Sequence, residues 1–182
     1  MVFLIVQSLY WLALATWFGG VLFVALSAPI IHRAIKESNP ILPHVLSVNL
    51  ESQHGSLLAG TIVAKLLLAL GRIQVVCAAV LFLALLSQWR LTATYEIWLL
   101  SLIVRCTLYV AAVMLMIYDN RYLLPRLWLY RQEYIDHADE PDIANPAKEQ
   151  FDRYHRESIT LLSVVLCLLL GMILFSSLIK VV

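Results

Sequence analysis

Charged residues are scarce in this sequence, and so are the residues that interrupt helices. Only 14% of the 182 residues are Asp, Glu, Lys or Arg, glycine and proline occur six times each, and 62% are hydrophobic. With a mean hydropathy of +0.84, a soluble domain could not cover its surface with polar groups. The composition therefore excludes a soluble fold and predicts an integral membrane protein.

Other absences exclude several classes of function. The formal net charge is only +1, so we expect no nucleic-acid partner. The three cysteines, Cys77, Cys106 and Cys167, form no Cys-x-x-Cys pair, which argues against a disulfide or zinc site and favours small packing residues. No Ser/His/Asp spacing, phosphate loop or nucleotide fingerprint occurs in the sequence. We therefore expect a non-enzymatic protein without catalytic residues, metal or cofactor.

Four apolar segments are long enough to cross a membrane. A bilayer requires about 20 residues, and the second segment is the shortest unless its apolar lead-in extends it back to residue 56. Neither long connection could form a stable soluble core unaided. The sequence predicts a single transmembrane domain over residues 1–182, an all-α four-helix bundle. The segments are about 3–31, 73–89, 97–118 and 159–179.

Basic residues predict the orientation of the chain. They gather in the connections after the first span and between the third and fourth spans, whereas Arg90 and Lys180 flank the opposite side. Because cytoplasmic loops carry the excess of Lys and Arg, we expect both long connections in the cytoplasm. Both termini are then outside.

A cytoplasmic interfacial amphipathic helix is predicted after the third span, at residues 121–137. Its leucines and tyrosines, from Leu123 to Tyr134, share one face, and Pro125 suits its first turn. Tyr, Trp and Arg beside a span are typical of a helix that rests on the bilayer surface. Docking on a partner subunit is the alternative.

An extended fourth helix is predicted, with a polar start that has two different faces. Asn145 is suited to the N-cap and Pro146 to the first helical position. On one face, charges alternate in sign at i,i+4 spacing, which stabilises an exposed helix. That face comprises Lys148, Glu149, Asp152, Arg153, Arg156 and Glu157, and the opposite face comprises Gln150, Phe151, Tyr154, His155 and Ser158.

Small residues recur at helical spacing in two spans. Such patterns allow helices to approach closely in lipid, so we interpret them as packing positions, with backbone approach to a ligand as the alternative. On an ideal helix the second stripe faces nearer the charged face than His155. The stripes are Ala15 with Gly19 and Thr16 with Gly20, and then Ser163, Cys167 and Gly171.

Arg105 is the first candidate for a functional residue, because it is a charge inside the third span. Such residues usually face a bundle interior or a water-filled cavity. It shares a helix stripe with Ser101 and Tyr109, and only the tertiary structure could bring Glu51 or Glu96 to it. Arg105 would bind an anionic headgroup or substrate, or would be a structural arginine that is satisfied by carbonyl groups.

His32 and His155 are the next candidates. His32 ends the first span and His155 begins the fourth, both on the predicted cytoplasmic side. Two such histidines would in principle ligate a haem iron or a metal. The alternative is that His155 only forms hydrogen bonds that join helix ends, because neither histidine has a second ligand at i,i+4.

Three stretches resemble a known family. They are Trp17-Phe18-Gly19-Gly20 with Pro29, the segment Asn120-Arg121-Tyr122-Leu123-Leu124-Pro125-Arg126, and Phe151-Asp152-Arg153-Tyr154-His155 with Ser158. Their order resembles the transmembrane-protein-205-like family of small four-helix membrane proteins, whose bacterial branch is a domain of unknown function. Some relatives have a Phe-Pro-aromatic cluster at the second span, where this chain has Ala64-Lys65-Leu66-Leu67. The resemblance implies the fold and a bacterial inner membrane, but no catalytic residue or ligand.

Two functional hypotheses follow. The first is an accessory or structural subunit of a larger membrane complex, or a small transport- or lipid-associated factor, with the bilayer and other membrane subunits as partners. The second is a membrane redox protein that binds haem or metal through His32 and His155. We expect Asn120, Arg121 and His155 to meet at one cytoplasmic corner. The candidate site residues are Arg105, Asp119, Asn120, Arg121, Arg153 and His155.

Overall fold

A computed structural model describes residues 2–38, 54–91 and 99–176, and this part of the chain is helical apart from one short turn. Four helical runs are long and apolar enough to cross a membrane, so the predicted all-α integral membrane bundle is confirmed. A π-helical turn, Asp119–Leu123, joins the third and fourth helices. The helices are α1 (Val2–Ser38), α2 (His54–Leu91), α3 (Leu99–Tyr118), α4 (Leu124–Asp136) and α5 (Pro141–Ser176).

The helices are longer than the apolar segments that predicted them. The second segment and its lead-in form one helix, α2, of 38 residues, as the extended alternative required. At 1.5 Å per residue this helix is about 57 Å long, whereas the hydrocarbon core of a bilayer is about 30 Å thick. Part of α2 must therefore lie outside the hydrocarbon, and the same applies to α1 and α5.

The start of α5 differs from the prediction. The helix begins at Pro141, so Asn145 is not its N-cap. The carbonyl of Glu140 accepts hydrogen bonds from the amides of Ile143 and Ala144 at 3.0 and 2.9 Å, and Pro141 takes the first position, where a missing N–H costs nothing. Pro146 lies inside the helix near its start, where it removes one hydrogen bond without ending the helix.

The π-helical turn follows from Pro125. A proline in a helix has no N–H, and its ring clashes with the carbonyl four residues earlier, here that of Arg121. The backbone widens instead, and the amide of Leu124 bonds the carbonyl of Asp119, five residues back. α4 therefore follows α3 without a loop. Leu123, Leu124 and Leu127 are buried, as the predicted amphipathic face required.

The chain divides into two compact units. Unit 1 comprises Met1–Leu22, Leu70–Ile117 and Leu162–Val182, and unit 2 comprises Phe23–Ala69 and Tyr118–Leu161. The core of unit 1 is formed by fully buried Leu14, Trp17, Leu81, Leu102, Leu169 and Met172. The core of unit 2 includes buried Val24, Ala59, Leu123, Leu127, Ala144 and Ala147.

The two small-residue stripes divide between packing and exposed positions. A Cβ on Gly20 would lie 3.0 Å from Leu70, and one on Gly171 would lie 3.1 Å from Leu108, so both glycines permit close helix contacts. A Cβ on Gly19 would meet nothing within 4 Å. Ser163 and Cys167 are exposed, because the buried stripe of α5 passes through Ser158, Val165, Leu169 and Met172.

Candidate functional site

The most unusual feature of unit 1 is a buried polar cluster around Arg105, which we call the Arg105 cluster. It consists of Gln7 and Tyr10 on α1, Gln88 on α2, Ser101 and Arg105 on α3, and Ser176 on α5. Arg105 has no exposed surface. The predicted inward stripe of α3 is confirmed, because Ser101, Arg105, Tyr109, Ala112 and Met116 are all buried.

Two of the three guanidinium nitrogens of Arg105 have hydrogen-bond acceptors. Nε donates to the carbonyl of Ser101 at 3.2 Å, and Nη1 donates to Oε1 of Gln88 at 3.0 Å. Gln88 in turn donates from Nε2 to Oε1 of Gln7 at 2.9 Å. Nη2 is buried and has no acceptor among the described residues. Three helices thus contribute to a polar chain that leaves part of the cation unpaired.

Tyr10 and Ser176 complete the cluster. The Tyr10 hydroxyl lies 2.7 Å from Oγ of Ser176, and Ser176 donates its own proton to the carbonyl of Met172 at 2.6 Å. Tyr10 must therefore be the donor to Ser176. Its ring centroid lies 5.4 Å from Cζ of Arg105, which is within the range of a cation–π interaction. The negative face of the ring partly stabilises the guanidinium but does not neutralise it.

No carboxylate neutralises Arg105 among the described residues of unit 1. Its described charged residues are Arg72, Arg90 and Arg105, and Glu51 and Glu96 lie outside the described part of the chain. An arginine at the centre of a membrane helix costs at least about 3 kcal/mol. Burying Arg105 without a described counter-charge therefore costs more free energy than an arginine with a purely structural role would.

Tyr109 and Trp17 are the other buried polar side chains that we single out in unit 1. The Tyr109 hydroxyl donates to the carbonyl of Ala78 at 2.8 Å, which links α3 to α2. Nε1 of Trp17 is buried and has no acceptor among the described residues. Unit 1 thus holds two buried donors, on Trp17 and Arg105, with unused hydrogen-bonding capacity.

In unit 2, α3 and the π-helical turn contact α5 through Asp119 and Tyr118. Ser158 donates to Oδ1 of Asp119 at 2.8 Å, and Tyr118 donates to Oε1 of Glu157 at 2.9 Å. Ser158 is buried and Asp119 is half-buried. The contact therefore joins a predicted site residue to the predicted inward face of α5.

Arg126 and three tyrosines form a second cluster in unit 2, which we call the Arg126 cluster. Arg126 donates to the hydroxyls of Tyr122 and Tyr154, the latter at 2.9 Å, and lies over the Tyr122 ring. The Tyr154 ring stacks on Tyr130 with centroids 5.6 Å apart. The hydrogen-bonding partners of Arg126 among the described residues are neutral phenols, so within this part of the chain the cluster binds the cation without an ion pair.

Arg131 forms a third polar contact, between α4 and α2. Its Nη2 donates to the carbonyl of Leu57 at 2.9 Å and to Oγ1 of Thr61 at 2.7 Å. The Thr61 hydroxyl donates a hydrogen bond to the same Leu57 carbonyl at 2.9 Å. These bonds fix the rotation of α4 relative to the start of α2.

The predicted site residues divide between the two units. Arg105 belongs to unit 1, and the other five belong to unit 2. Arg121, Arg153 and His155 are exposed, whereas Asp119 and Asn120 are half-buried. The expected meeting of Asn120, Arg121 and His155 stays a prediction.

His155 does not share the inward face of α5. It is exposed, whereas Ser158 is buried and Phe151 and Tyr154 are half-buried. Each residue turns a helix by about 100°, so the His155 side chain points about 100° away from that of Tyr154 around the helix axis. Its ring stacks flat on Phe151, with centroids 5.7 Å apart.

The histidine pair is not part of a larger set of metal ligands among the described residues. His32 is exposed like His155 and lies within electrostatic range of it. In the part of the chain that the structure describes, no group of three or more His, Cys, Asp or Glu side chains is placed to hold a metal ion.

A surface pocket of about 310 Å³ lies in unit 2 between α4 and α5. Tyr130 and Glu133 line it from α4, and Asp142, Pro146 and Gln150 line it from α5. None of the predicted site residues lines this pocket, and it contains no basic side chain.

Sequence reasoning missed the partners of Arg105 and the role of Arg126. Gln7, Tyr10 and Gln88 lie on other helices, so no local pattern connects them with Arg105. Arg126 carried a local signal, because Tyr122 and Tyr130 flank it at i,i+4 spacing on one helix face.

No protein-family model, curated protein or solved structure matches this chain. Its function is therefore inferred from the polar clusters and surfaces of its own structure.

Proposed function

We propose that this protein is a non-enzymatic, transport- or lipid-associated factor that acts through the Arg105 cluster. The observation that supports this function is the complete burial of Arg105 with Nη2 unpaired. Ionisable residues inside spans are rare and usually belong to substrate pathways or binding sites. A structural arginine would be satisfied by carbonyls or paired with an acid, as Arg131 is satisfied by Leu57 and Thr61.

The proposal includes the cellular setting. The basic connections favour an orientation with both termini outside and the long connections in the cytoplasm, and we assign the protein to a bacterial inner membrane. Membership of the transmembrane-protein-205-like family is part of the same proposal and rests on the three sequence stretches. Reporter fusions at each terminus test the orientation, and a reporter that is active only in the cytoplasm would contradict it.

The Arg105→Leu variant tests the proposed function. We expect the purified variant to differ from the wild type in the lipid or small molecule that it retains, as measured by native mass spectrometry. Arg90→Gln is the matched control, because Arg90 is an exposed cation of the same unit. A variant with the same bound species and the same stability as the wild type would exclude a functional role for Arg105.

An accessory-subunit role is the second candidate, and the outward face of α1 favours it. Ala15, Thr16 and Gly19 are exposed there, although membrane proteins usually place small residues at helix contacts. A Cβ at Gly19 would meet no described atom within 4 Å, whereas one at Gly20 would lie 3.0 Å from Leu70. Gly19→Leu should therefore leave folding intact and release a membrane subunit that co-purifies in fixed stoichiometry. A monodisperse monomer in mild detergent would reject this role.

The membrane redox protein remains the alternative to both roles. The electrostatic proximity of His32 and His155 is the observation in its favour. An absorption spectrum and elemental analysis of the purified protein test it, and the absence of both a Soret band and a bound metal would remove it.

A further inference from the structure

We propose that Arg105 binds a small anion, a halide ion or the carboxylate of a one- or two-carbon acid, at its Nη2 group. This inference rests on the proposed function, since it names the ligand of the Arg105 cluster. The guanidinium group of an arginine has five N–H donors and is always ionised in proteins.

The donors of Arg105 are only partly used. Nε and Nη1 each have one acceptor, whereas Nη2 has none among the described residues, although it is completely buried. Leaving a charged donor unsatisfied in a low-dielectric interior is strongly unfavourable. A bound ligand would supply the acceptor that the described residues do not provide at this nitrogen.

The neighbouring side chains are already committed in a way that favours a negative ligand. Oε1 of Gln88 accepts from Nη1, and its amide nitrogen is directed to Gln7. The Tyr10 hydroxyl donates a hydrogen bond to Oγ of Ser176, and the Ser176 hydroxyl donates to the carbonyl of Met172. None of these hydrogen bonds provides an acceptor for Nη2.

The charge of unit 1 also favours an anionic ligand. Its described residues include arginines but no Asp or Glu. A cationic ligand would be repelled, and a neutral acceptor such as water would satisfy the hydrogen bond without neutralising the charge. In an apolar surrounding, an anion provides both the hydrogen bond and the neutralisation.

The enclosure of the site limits the ligand's size. Arg105 has no exposed surface, and Tyr10, Gln88 and Ser101, which contact it, are buried as well. A phospholipid headgroup with its chains would require the helices to separate. Among anions that can accept from Nη2, a halide or a formate-sized carboxylate displaces the least protein.

Thermal unfolding of the purified full chain tests the proposal. The protein is transferred to gluconate buffer at constant ionic strength and titrated with chloride, bromide and formate. We expect Tm to rise by about 5 °C at a ligand concentration near 100 Kd. Vesicles with and without phosphatidylglycerol form a separate arm, and stabilisation by this lipid alone would overturn the small-anion assignment.

Three variants assign the effect. Arg105→Gln removes the charge and should abolish the rise in Tm, and Arg105→Lys, which keeps the charge but not the guanidinium, should reduce the apparent affinity at least tenfold. Arg90→Gln should leave the response unchanged. A wild type without any anion response, or a response that persists in Arg105→Gln, would overturn the inference.

The Glu96→Gln variant tests whether a carboxylate of the protein itself is the counter-ion of Arg105. If the carboxylate of Glu96 neutralises Arg105, the wild type will ignore added anions and the variant will acquire the response, which would also overturn the inference. Failure of the anion titration leaves the proposed function intact if Arg105→Leu still changes what the protein retains. The two claims can therefore fail separately.

Discussion

The arginines of this protein differ in what surrounds their guanidinium groups. Arg131 binds a backbone carbonyl and a hydroxyl, and Arg126 binds two phenols. Arg105 is the most deeply buried of the three, yet it has an unpaired nitrogen. Burial makes an unpaired charge more costly, so a nitrogen without an acceptor costs more on the fully buried Arg105 than on the half-buried Arg126 and Arg131. Such an arrangement is typical of a site whose ligand completes it.

The Arg126 cluster yields a prediction at the scale of single residues. Tyr154→Phe removes the hydroxyl that accepts from Arg126 at 2.9 Å and keeps the ring that stacks on Tyr130. Because this bond involves a charged donor, we expect the free energy of unfolding to fall measurably. Chemical denaturation in detergent measures the change.

Tyr130→Phe is the matched control for this prediction. It lies in the same stacked pair, but its hydroxyl forms no hydrogen bond in the structure. We expect a change of less than about 0.5 kcal/mol. Equal losses in the two variants would show that the stack, rather than the bond to Arg126, stabilises this part of unit 2.

At the scale of elements, the π-helical turn determines which face α4 presents. One extra residue in the turn rotates everything that follows by about 100° relative to an uninterrupted α-helix. This rotation places Arg131 against Leu57 and Thr61 on α2. The main role of the Asn120–Arg126 stretch is therefore geometric, since it contains four of the five residues of the π-helical turn and the Pro125 that causes it.

Replacement of Pro125 tests this account of the turn. Pro125→Ala restores the missing N–H, so we expect the turn to return to α-helical geometry and the Arg131 contacts to break. Thr61→Val should then cost about 1 kcal/mol in the wild type and almost nothing in the Pro125→Ala background. Additive losses would mean that the turn persists without proline.

The elements show what the sequence could predict and what it could not. The spans and the buried Arg105 stripe were predictable, because apolar run length and a 3.6-residue period are local properties. The helix predicted at residues 121–137 corresponds to α4, Leu124–Asp136, but the sequence did not reveal that it continues α3 through a π-helical turn. The start of α5 was wrong because Pro141 and Pro146 both suit a first helical position, and only the fold chooses between them.

The candidate site was predictable only in part, for a similar reason. Arg105 was evident as a charge in an apolar span, but Gln88 and Tyr10 reach it from other helices. The prediction that His155 shares the inward face of α5 was wrong, because a helical wheel cannot locate the edge of a packed face to within one residue. Partners that are distant along the chain leave no periodic signal in a single sequence.

At the scale of the whole molecule, charge is divided unevenly. Every described Asp and Glu belongs to unit 2, where acids and bases are interspersed, whereas the described charges of unit 1 are arginines alone. Unit 1 therefore pairs an apolar core with an uncompensated positive charge at Arg105. The functional proposal depends on this contrast, because it makes the Arg105 cluster the most unfavourable part of the unit when no ligand is bound.

The sign of the stability change in Arg105→Met tests this central claim most directly. Both proteins are unfolded in chloride-free gluconate buffer. We predict that the methionine variant is more stable by about 1–3 kcal/mol, because it removes an unpaired buried charge and keeps the side-chain volume. A loss of about 2 kcal/mol or more, as for an ordinary core defect, would show that Arg105 stabilises the bundle and would contradict the account.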